Sequence, residues 1–251
     1  MQMRLIDIDY TEDPHLNLAI DEAIFLELMK GNSPSTFRTY GNASSVVLGC
    51  FQIADEEIDI KYAITKDVKI AKRFTGGGAT YCDGGALNFS ITSRETGAGD
   101  VQRLFSKMMG GALSSLRIIG VDAAVEGLNS ISVNGRKVMN AAATARSGAA
   151  LFQASMLVSS DLNALASVLK MPGAKKADGR LLGMVANIRD ISEKGTVEVK
   201  KAVLEGYGTS LGFEYATGKL TEREAALARK LQKAKYQRSE WNLGREFTNV
   251  E

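Results

Sequence analysis

The sequence is poor in the residues that most enzymes use for metal binding and nucleophilic catalysis. It carries one histidine, His15, and two cysteines, Cys50 and Cys82, in 251 residues. A histidine-based metal cluster is therefore excluded, and a Ser-His-Asp triad built around a histidine that follows a proline is disfavoured. The cysteines have no metal-ligand spacing, and so few thiols fit a reducing, cytoplasmic setting. No run approaches the roughly 18 apolar residues of a membrane span. The start, Met1-Gln2-Met3-Arg4-Leu5, leads directly into a strand-like run, so no signal peptide is expected. A net charge of +2 gives no electrostatic footprint for nucleic acid. Neither a nucleic-acid nor a membrane partner is expected.

What is present is an ordinary globular composition, 45% hydrophobic and 24% charged, on a chain long enough to bury a sizeable core. Strand patterns fall at 5–9, 37–40, 45–49, 68–71, 130–133, 136–139 and 151–158, with a further strand starting within 118–125. Residues 37–40 and 45–49 read as a pair joined by the turn Gly41-Asn42-Ala43-Ser44. Asn134-Gly135 between apolar runs is the strongest short hairpin signal in the chain. Helical periodicity covers 17–29, 56–66, 102–116, 196–211 and 221–235, the last with a Thr221–Glu224 capping box. Asp161 is placed to cap a helix running to Leu169. The methionines of 102–116 fit core packing, the small-residue run 141–150 leads into a strand, and 172–180 reads as an exposed loop. Strands and helices at irregular intervals, with hairpins, predict an α/β (α+β) fold of mixed, largely antiparallel sheets covered by helices. No linker divides the chain, so residues 1–251 are expected to form one domain.

The most informative stretch is Lys72-Arg73-Phe74-Thr75-Gly76-Gly77-Gly78-Ala79-Thr80-Tyr81-Cys82-Asp83, followed by Leu87-Asn88-Phe89-Ser90-Ile91. Three successive glycines let backbone N–H groups converge on an anion or a flat ligand approach closely. Arg73 adds a cationic fork suited to phosphate. On chemistry alone, a glycine-rich turn with an incidental arginine explains the string equally well. It is neither a Walker P-loop nor a G-x-G-x-x-G fingerprint.

The string resembles the Arg-Arg-x-x-Gly-Gly-Gly-Ala-Val-Tyr/Phe-His-Asp signature of the lipoate–protein ligases. A second anchor, Asn134-Gly135-Arg136-Lys137-Val138, is similar to the segment carrying that family's essential lysine. Asn17 to Ala23, Val46 to Gly49, Asn88-Phe89-Ser90 and Trp241 to Gly244 extend the likeness over most of the chain, most closely to archaeal catalytic subunits. The resemblance implies a biotin/lipoate ligase-like catalytic domain without a C-terminal accessory domain, and an accessory protein supplied separately. It also implies ATP, Mg²⁺ and lipoate, adenylation to lipoyl-AMP, and transfer to a lysine of lipoyl-carrier domains (E2 subunits or a glycine-cleavage carrier). Carried over by position, Lys137 is the catalytic residue. Arg73, Gly76, Gly77, Gly78, Ala79, Thr80, Tyr81, Asp83, Asn88 and Asn129 bind ATP or lipoyl-AMP, with Asp83 the candidate Mg²⁺ ligand. From spacing alone, a solvated hairpin lysine is the favoured reading of Lys137, and it is the family match that reverses it.

Four positions depart from the family pattern. Cys82 replaces a histidine, Ser130 a carboxylate, Asn140 a glycine and Gln153 a second histidine. They motivate two alternatives: an ATP-independent octanoyl or lipoyl transferase, and a non-catalytic protein that binds lipoyl-AMP or a lipoyl domain. The transferase would need a reactive thiolate. Cys82 is the candidate if it sits beside Arg73 or Lys137, where its pKa is expected to fall.

Overall fold

Two β-sheets of unequal size carry the structure. The computed structural model describes residues 1–8, 10–94, 101–172 and 174–244. The strands are β1 (Gln2–Asp7), β2 (Thr36–Tyr40), β3 (Ser45–Leu48), β4 (Lys69–Lys72), β5 (Thr80–Cys82), β6 (Ala86–Arg94), β7 (Ala124–Glu126), β8 (Ser130–Val133), β9 (Arg136–Arg146), β10 (Ala149–Leu157) and β11 (Glu214–Thr217). Eight form one sheet in the order β11-β1-β2-β6-β10-β9-β8-β7, and three form another in the order β4-β3-β5. Most pairings in the large sheet are antiparallel; β1 pairs in parallel with both β2 and β11. The helices are α1 (Pro14–Met29), α2 (Ala54–Glu57), α3 (Ile60–Thr65), α4 (Val101–Ile118), α5 (Leu162–Val168), α6 (Arg189–Ser192), α7 (Thr196–Leu211), α8 (Glu222–Leu231) and α9 (Ser239–Leu243).

The two faces of the large sheet differ because side chains alternate along each strand. Phe37, Phe89, Ile91 and Phe152 point to one side and join Phe105, Met108 and Met109 of α4 and Val203 and Tyr207 of α7 in the main core. Gly111 and Gly206 let these two helices touch: a Cβ on Gly206 would lie 2.4 Å from the Ser115 nitrogen. Their neighbours Arg38, Ser90 and Gln153 point to the other side and meet α1 through Asp21. Helix α1 is buried nearly all round, as expected of a helix enclosed between other elements. The small sheet packs its Val46, Leu48 and Tyr81 against Ala63, Leu165 and Val168 of α3 and α5.

Several expectations need correction. Strands β2 and β3 do not pair with each other: β2 lies between β1 and β6, and β3 between β4 and β5. The intervening Gly41–Ser44 segment does not reverse the chain into a hairpin. It is held on α1, where Asn17 donates to the Gly41 carbonyl at 3.2 Å and to Asn42 Oδ1 at 2.8 Å. The small-residue run is strand through Arg146, and Ser147-Gly148, both with positive φ, turns β9 into β10. The strand expected within 118–125 reduces to β7, because α4 continues to Ile118. The helix expected over 56–66 is broken at Ile58, which bridges to Leu169, and restarts under an Asp59 cap. Helix α1 starts before Asn17, under an Asp13 cap. The strand expected over 5–9 runs from Gln2 to Asp7, and Asp9 lies outside the described residues. Strand β11 was not anticipated.

Candidate active site

Strands β4 and β5 flank β3 without touching each other, so the glycine stretch is a crossover rather than a hairpin. It passes over the end of β3, where Gly49 allows the close approach. A Cβ there would stand 2.0 Å from the Gly77 carbonyl oxygen. Gly77 has φ +90°, a left-handed conformation that L side chains rarely adopt, and its missing Cβ faces Arg73. Gly78 is different: nothing lies within 4 Å of the Cβ it lacks.

Arg73 holds this crossover from within. Its Nε and Nη2 donate to the Gly76 carbonyl at 3.2 and 2.6 Å, Nη2 to Gly78 at 2.9 Å, and Nη1 to Val47 at 3.0 Å. The fork expected on phosphate is thus largely engaged with carbonyls, leaving one Nη1–H. No carboxylate pairs with it among the described residues, although it is buried, and burial depresses its pKa to about 10. At neutral pH it stays charged: a buried cation without an anion. With the Gly76 and Gly78 carbonyls turned inward, the N–H groups of Gly76, Gly77 and Gly78 make no hydrogen bond among the described residues. These three successive N–H groups are thus left available to a ligand acceptor.

Between the two sheets lies a narrow cleft lined by residues of both. Its floor is the α1-facing side of the large sheet, where register brings Asn140, Ala142, Gln153, Ser155 and Asn88 to one face. Arg73, Thr80, Cys82 and Val47 wall it from the small sheet, and Leu18, Tyr40 and Asn42 from the other side. Asn88 is buried with its Oδ1 accepting from Cys82 Sγ at 3.3 Å, while its Nδ2 has no partner. A buried unpaired amide is costly, and a ligand acceptor would relieve it. Gln153 ties floor to crossover: Nε2 donates to Asp21 at 2.8 Å, and Oε1 accepts from Thr75 Oγ1 at 2.7 Å. Asp21 also takes Arg38 Nη1 at 2.9 Å and Ser90 Oγ at 2.8 Å.

A second cleft opens on the far side of Thr80 and Asn140. Gly78, Ala79, Tyr81, Lys137, Met139, Leu165 and Val185 line it. Lys137 reaches it through a bulge in β9: Ser132 faces Lys137 and Ile131 faces Met139, so Val138 is the extra residue. Bulges of this kind re-aim side chains at sites. The backbone there is fixed from the other edge by Ala186 N donating to the Lys137 carbonyl at 3.0 Å. The Lys137 ammonium is exposed and has no ion-pair or hydrogen-bond partner among the described residues.

The remaining sequence candidates are placed as follows. Asn129 donates to the Ala141 carbonyl at 2.9 Å and stands about 4.0 Å from where a Gly77 Cβ would be; the two anchors themselves meet in the second cleft, which Gly78 and Lys137 both line. Tyr81 bonds Ser44 through its hydroxyl at 3.1 Å. Asp83 lines neither cleft: its oxygens accept from Gly85 N at 2.9 Å and Asp161 N at 2.7 Å, fixing the β5–β6 turn. No cluster of three His, Cys, Asp or Glu that could hold a metal occurs among the described residues. Cys82 does line the first cleft with Arg73, but its pKa does not fall. Burial dominates over the Ser155 and Asn42 hydrogen bonds and the Arg73 charge, and pushes the thiol up to about 11. Tyr40, Asn42 and Ser155 are not singled out by the sequence as site residues and no short motif marks them, while Thr75 falls at an unspecified position of the glycine motif.

No helix among the described residues is long and apolar enough to cross a membrane. The family model of the lipoyl protein ligase A/B catalytic domain matches residues 13–208. Lipoate-protein ligase A subunit 1 of Thermoplasma acidophilum is 37% identical, over 97% of each chain. Octanoyltransferase LipM of Symbiobacterium thermophilum is 29% identical over 96% of this chain and 97% of its own. Among solved structures, the bipartite lipoate protein ligase of Thermoplasma acidophilum, studied with its E2 lipoyl domain, superposes with a TM-score of 0.93 at 36% identity over the whole of both chains. A lipoate-protein ligase A bound with ATP gives 0.90 at 34% identity, over 98% of this chain and 100% of its own.

Proposed function

Since the chain belongs to the lipoyl protein ligase A/B catalytic-domain family, we propose that it is the catalytic subunit of an ATP-dependent lipoate–protein ligase. Residues 1–251 act in this reading as one catalytic domain. The observation that carries it is the buried Arg73, unpaired with any carboxylate among the described residues, which lines the first cleft and holds the crossover whose Gly78 lines the second. A carboxylic acid fits the first cleft, near the Arg73 charge and the unpaired Asn88 Nδ2, with its chain along Leu18, Val47 and Ala142. A nucleotide fits the second, over Gly78 to Tyr81.

In the first step a carboxylate oxygen of lipoate attacks the α-phosphorus of ATP. A P–O bond forms, the bond from that phosphorus to the bridging oxygen breaks, and pyrophosphate leaves. Negative charge grows on the phosphoryl oxygens, where the amides of Gly76, Gly77 and Gly78 and the free Lys137 ammonium stabilise it. In the second step a carrier lysine amine attacks the acyl carbon. The C–N bond forms, the C–O bond to AMP breaks, and the amine gives up a proton to solvent. Lys137 then neutralises the departing phosphate. The described residues do not fit a protein-held Mg²⁺, because Asp83 lines neither cleft and no cluster supplements it. The cation would enter on the triphosphate, as is usual for Mg²⁺.

The partners we assign are lipoyl-carrier domains, E2 subunits or a glycine-cleavage carrier, and a separate small accessory protein. The bipartite Thermoplasma ligase with its E2 lipoyl domain and the "subunit 1" relative support both. The setting we assign is cytoplasmic, on a chain whose two cysteines are both free thiols. Lipoate-dependent ATP–pyrophosphate exchange, with and without the accessory protein, tests the reading. Exchange above the no-lipoate blank is expected, and its absence in both arms rejects an active ligase.

A further inference from the structure

Two residues, Thr80 and Asn140, line both clefts. They also bond each other: Asn140 Nδ2 donates to Thr80 Oγ1 at 2.6 Å. That hydrogen bond stands where the two clefts border each other. The backbone on either side of it is not free to shift. Asn140 is paired to Ser155 on one side and Ser130 on the other, and Thr80 is paired to Val47. If the bond opens, it opens by rotation of these two side chains.

An acid and a nucleotide bound separately can leave that bond intact. An acyl-adenylate cannot, because it is one covalent molecule whose carbonyl and phosphate must lie where the two clefts join. We propose that Asn140 contacts the substrate. When acid and nucleotide meet, its amide leaves Thr80 and donates to the acyl carbonyl oxygen, so one hydrogen bond is exchanged for another. Asn140 then supplies a donor to the oxygen that becomes more negative during attack by the carrier amine, complementing Lys137 on the phosphate side. No covalent bond of the protein changes. This assignment rests on the ligase reading and adds to it a residue that distinguishes the joined ligand from its two halves.

The two sides of the latch make opposite predictions. Removing the acceptor (Thr80→Val) leaves Asn140 unlatched; because Thr80 also lines the nucleotide cleft, the quantity read is the affinity for the spanning ligand relative to that for ATP, which rises severalfold. Removing the donor (Asn140→Ala) takes away the carbonyl contact, and binding weakens by about tenfold, the scale of one hydrogen bond. Asn140→Asp, which sets a carboxylate against the ligand's own negative charge, is expected to be weaker still. The probe is a non-hydrolysable acyl-sulfamate of adenosine carrying a lipoyl chain, titrated calorimetrically into the full chain and each variant. Lipoate alone and ATP alone serve as the half-ligands, and thermal unfolding checks the fold. Selective weakening of the spanning probe in Asn140→Ala, with the half-ligands unchanged, supports the assignment. Equal binding of the probe by Asn140→Ala and the parent overturns it, as does an equal loss of half-ligands and probe. If the parent binds neither lipoate nor the probe, the ligase reading itself has failed and the Asn140 role falls with it. A parent that binds both with an indifferent Asn140→Ala rejects the Asn140 role alone.

Discussion

Gly49 and Gly77 are locked to each other: a Cβ on the first would lie 2.0 Å from the carbonyl oxygen of the second. The crossover can run over the end of β3 only if residue 49 has no side chain. Gly78, one residue beyond Gly77, meets nothing within 4 Å and needs no such concession from the protein. The two positions therefore separate a glycine required by the fold from one whose missing side chain would meet only open space.

That difference can be measured. Gly49→Ala should cost more than ~3 kcal/mol of stability or displace the crossover, since backbone meets backbone and neither can rotate away. Gly78→Val should unfold within about 1 kcal/mol of the parent yet lose ATP binding, because its side chain would enter the second cleft. Urea unfolding and ATP titration on the same preparations check both. Normal ATP affinity in Gly78→Val would remove the nucleotide from this edge of the crossover.

Lys137 is exposed, anchored through its backbone and free at its ammonium. Lys137→Ala should leave stability unchanged within about 0.5 kcal/mol, the usual range for a surface change. It should lower lipoate-dependent pyrophosphate exchange by on the order of a hundredfold or more, as loss of one charge-stabilising group does. Lys137→Arg should not restore the rate, because a planar fork cannot replace a compact ammonium. Retained exchange in the alanine variant would return Lys137 to the role of a solvated hairpin residue.

Part of this was legible in the sequence because local chemistry decided it. Asn134-Gly135 gives a hairpin since both residues accept positive φ, at +51° and +73°. The Thr221–Glu224 box gives the start of α8 since both bonds are local. Strand partnership was not legible in the same way. Alternation in 37–40 and 45–49 marks strands but does not say that they enter different sheets. The alanine-rich half of β9 was hidden because alanine has little strand propensity. Its small residues serve two faces: Ala142 lines the cleft, while Ala141 lies in the main core with Ala143 and Ala145 packed against it. Arg73 and the glycines were visible from their motif. The Asn140–Thr80 contact, 60 residues apart in sequence, required the two sheets to be assembled first.

Glu224 offers a pH test remote from the clefts. Burial raises its pKa, but hydrogen bonds from Arg4, Ser33 and the Thr221 amide outweigh that, and the net shift is downward. The bonds from Arg4 Nη1 and Nη2 measure 2.8 and 2.5 Å and tie β1 to α8. A carboxyl whose folded pKa lies below its unfolded value binds fewer protons when folded. Its stabilisation is complete above the unfolded pKa, about 4.3, and is lost as pH falls through the folded value. Glu224→Gln should therefore be less stable than the parent at pH 7 and show a flatter decline of Tm below about pH 4.5. Parallel Tm–pH curves for the two proteins would show that the pair makes no net contribution.

Cys82 decides between the ligase and a thioester-forming transferase, since octanoyltransferases are also relatives of this chain. It lines the first cleft, so position alone would allow acyl transfer to sulfur. Its protonation state opposes this. With the thiol pushed up to about 11 by burial, roughly one molecule in ten thousand is a thiolate at pH 7. A transferase nucleophile requires the reverse, a pKa lowered by a nearby cation or base. Here the one nearby guanidinium, Arg73, is largely engaged with carbonyls, and Cys82 Sγ instead donates to Asn88 Oδ1. Cys82→Ser is thus expected to retain at least about a third of the parent's ATP-dependent lipoylation, since it keeps a small hydrogen-bonding group beside Asn88 and Ser155. Incubation of the parent with an octanoyl-carrier donor in the absence of ATP should give no hydroxylamine-sensitive mass increase on Cys82. A stable acyl-thioester at that residue, together with near-complete loss of activity in Cys82→Ser, would replace the adenylating mechanism with a transferase.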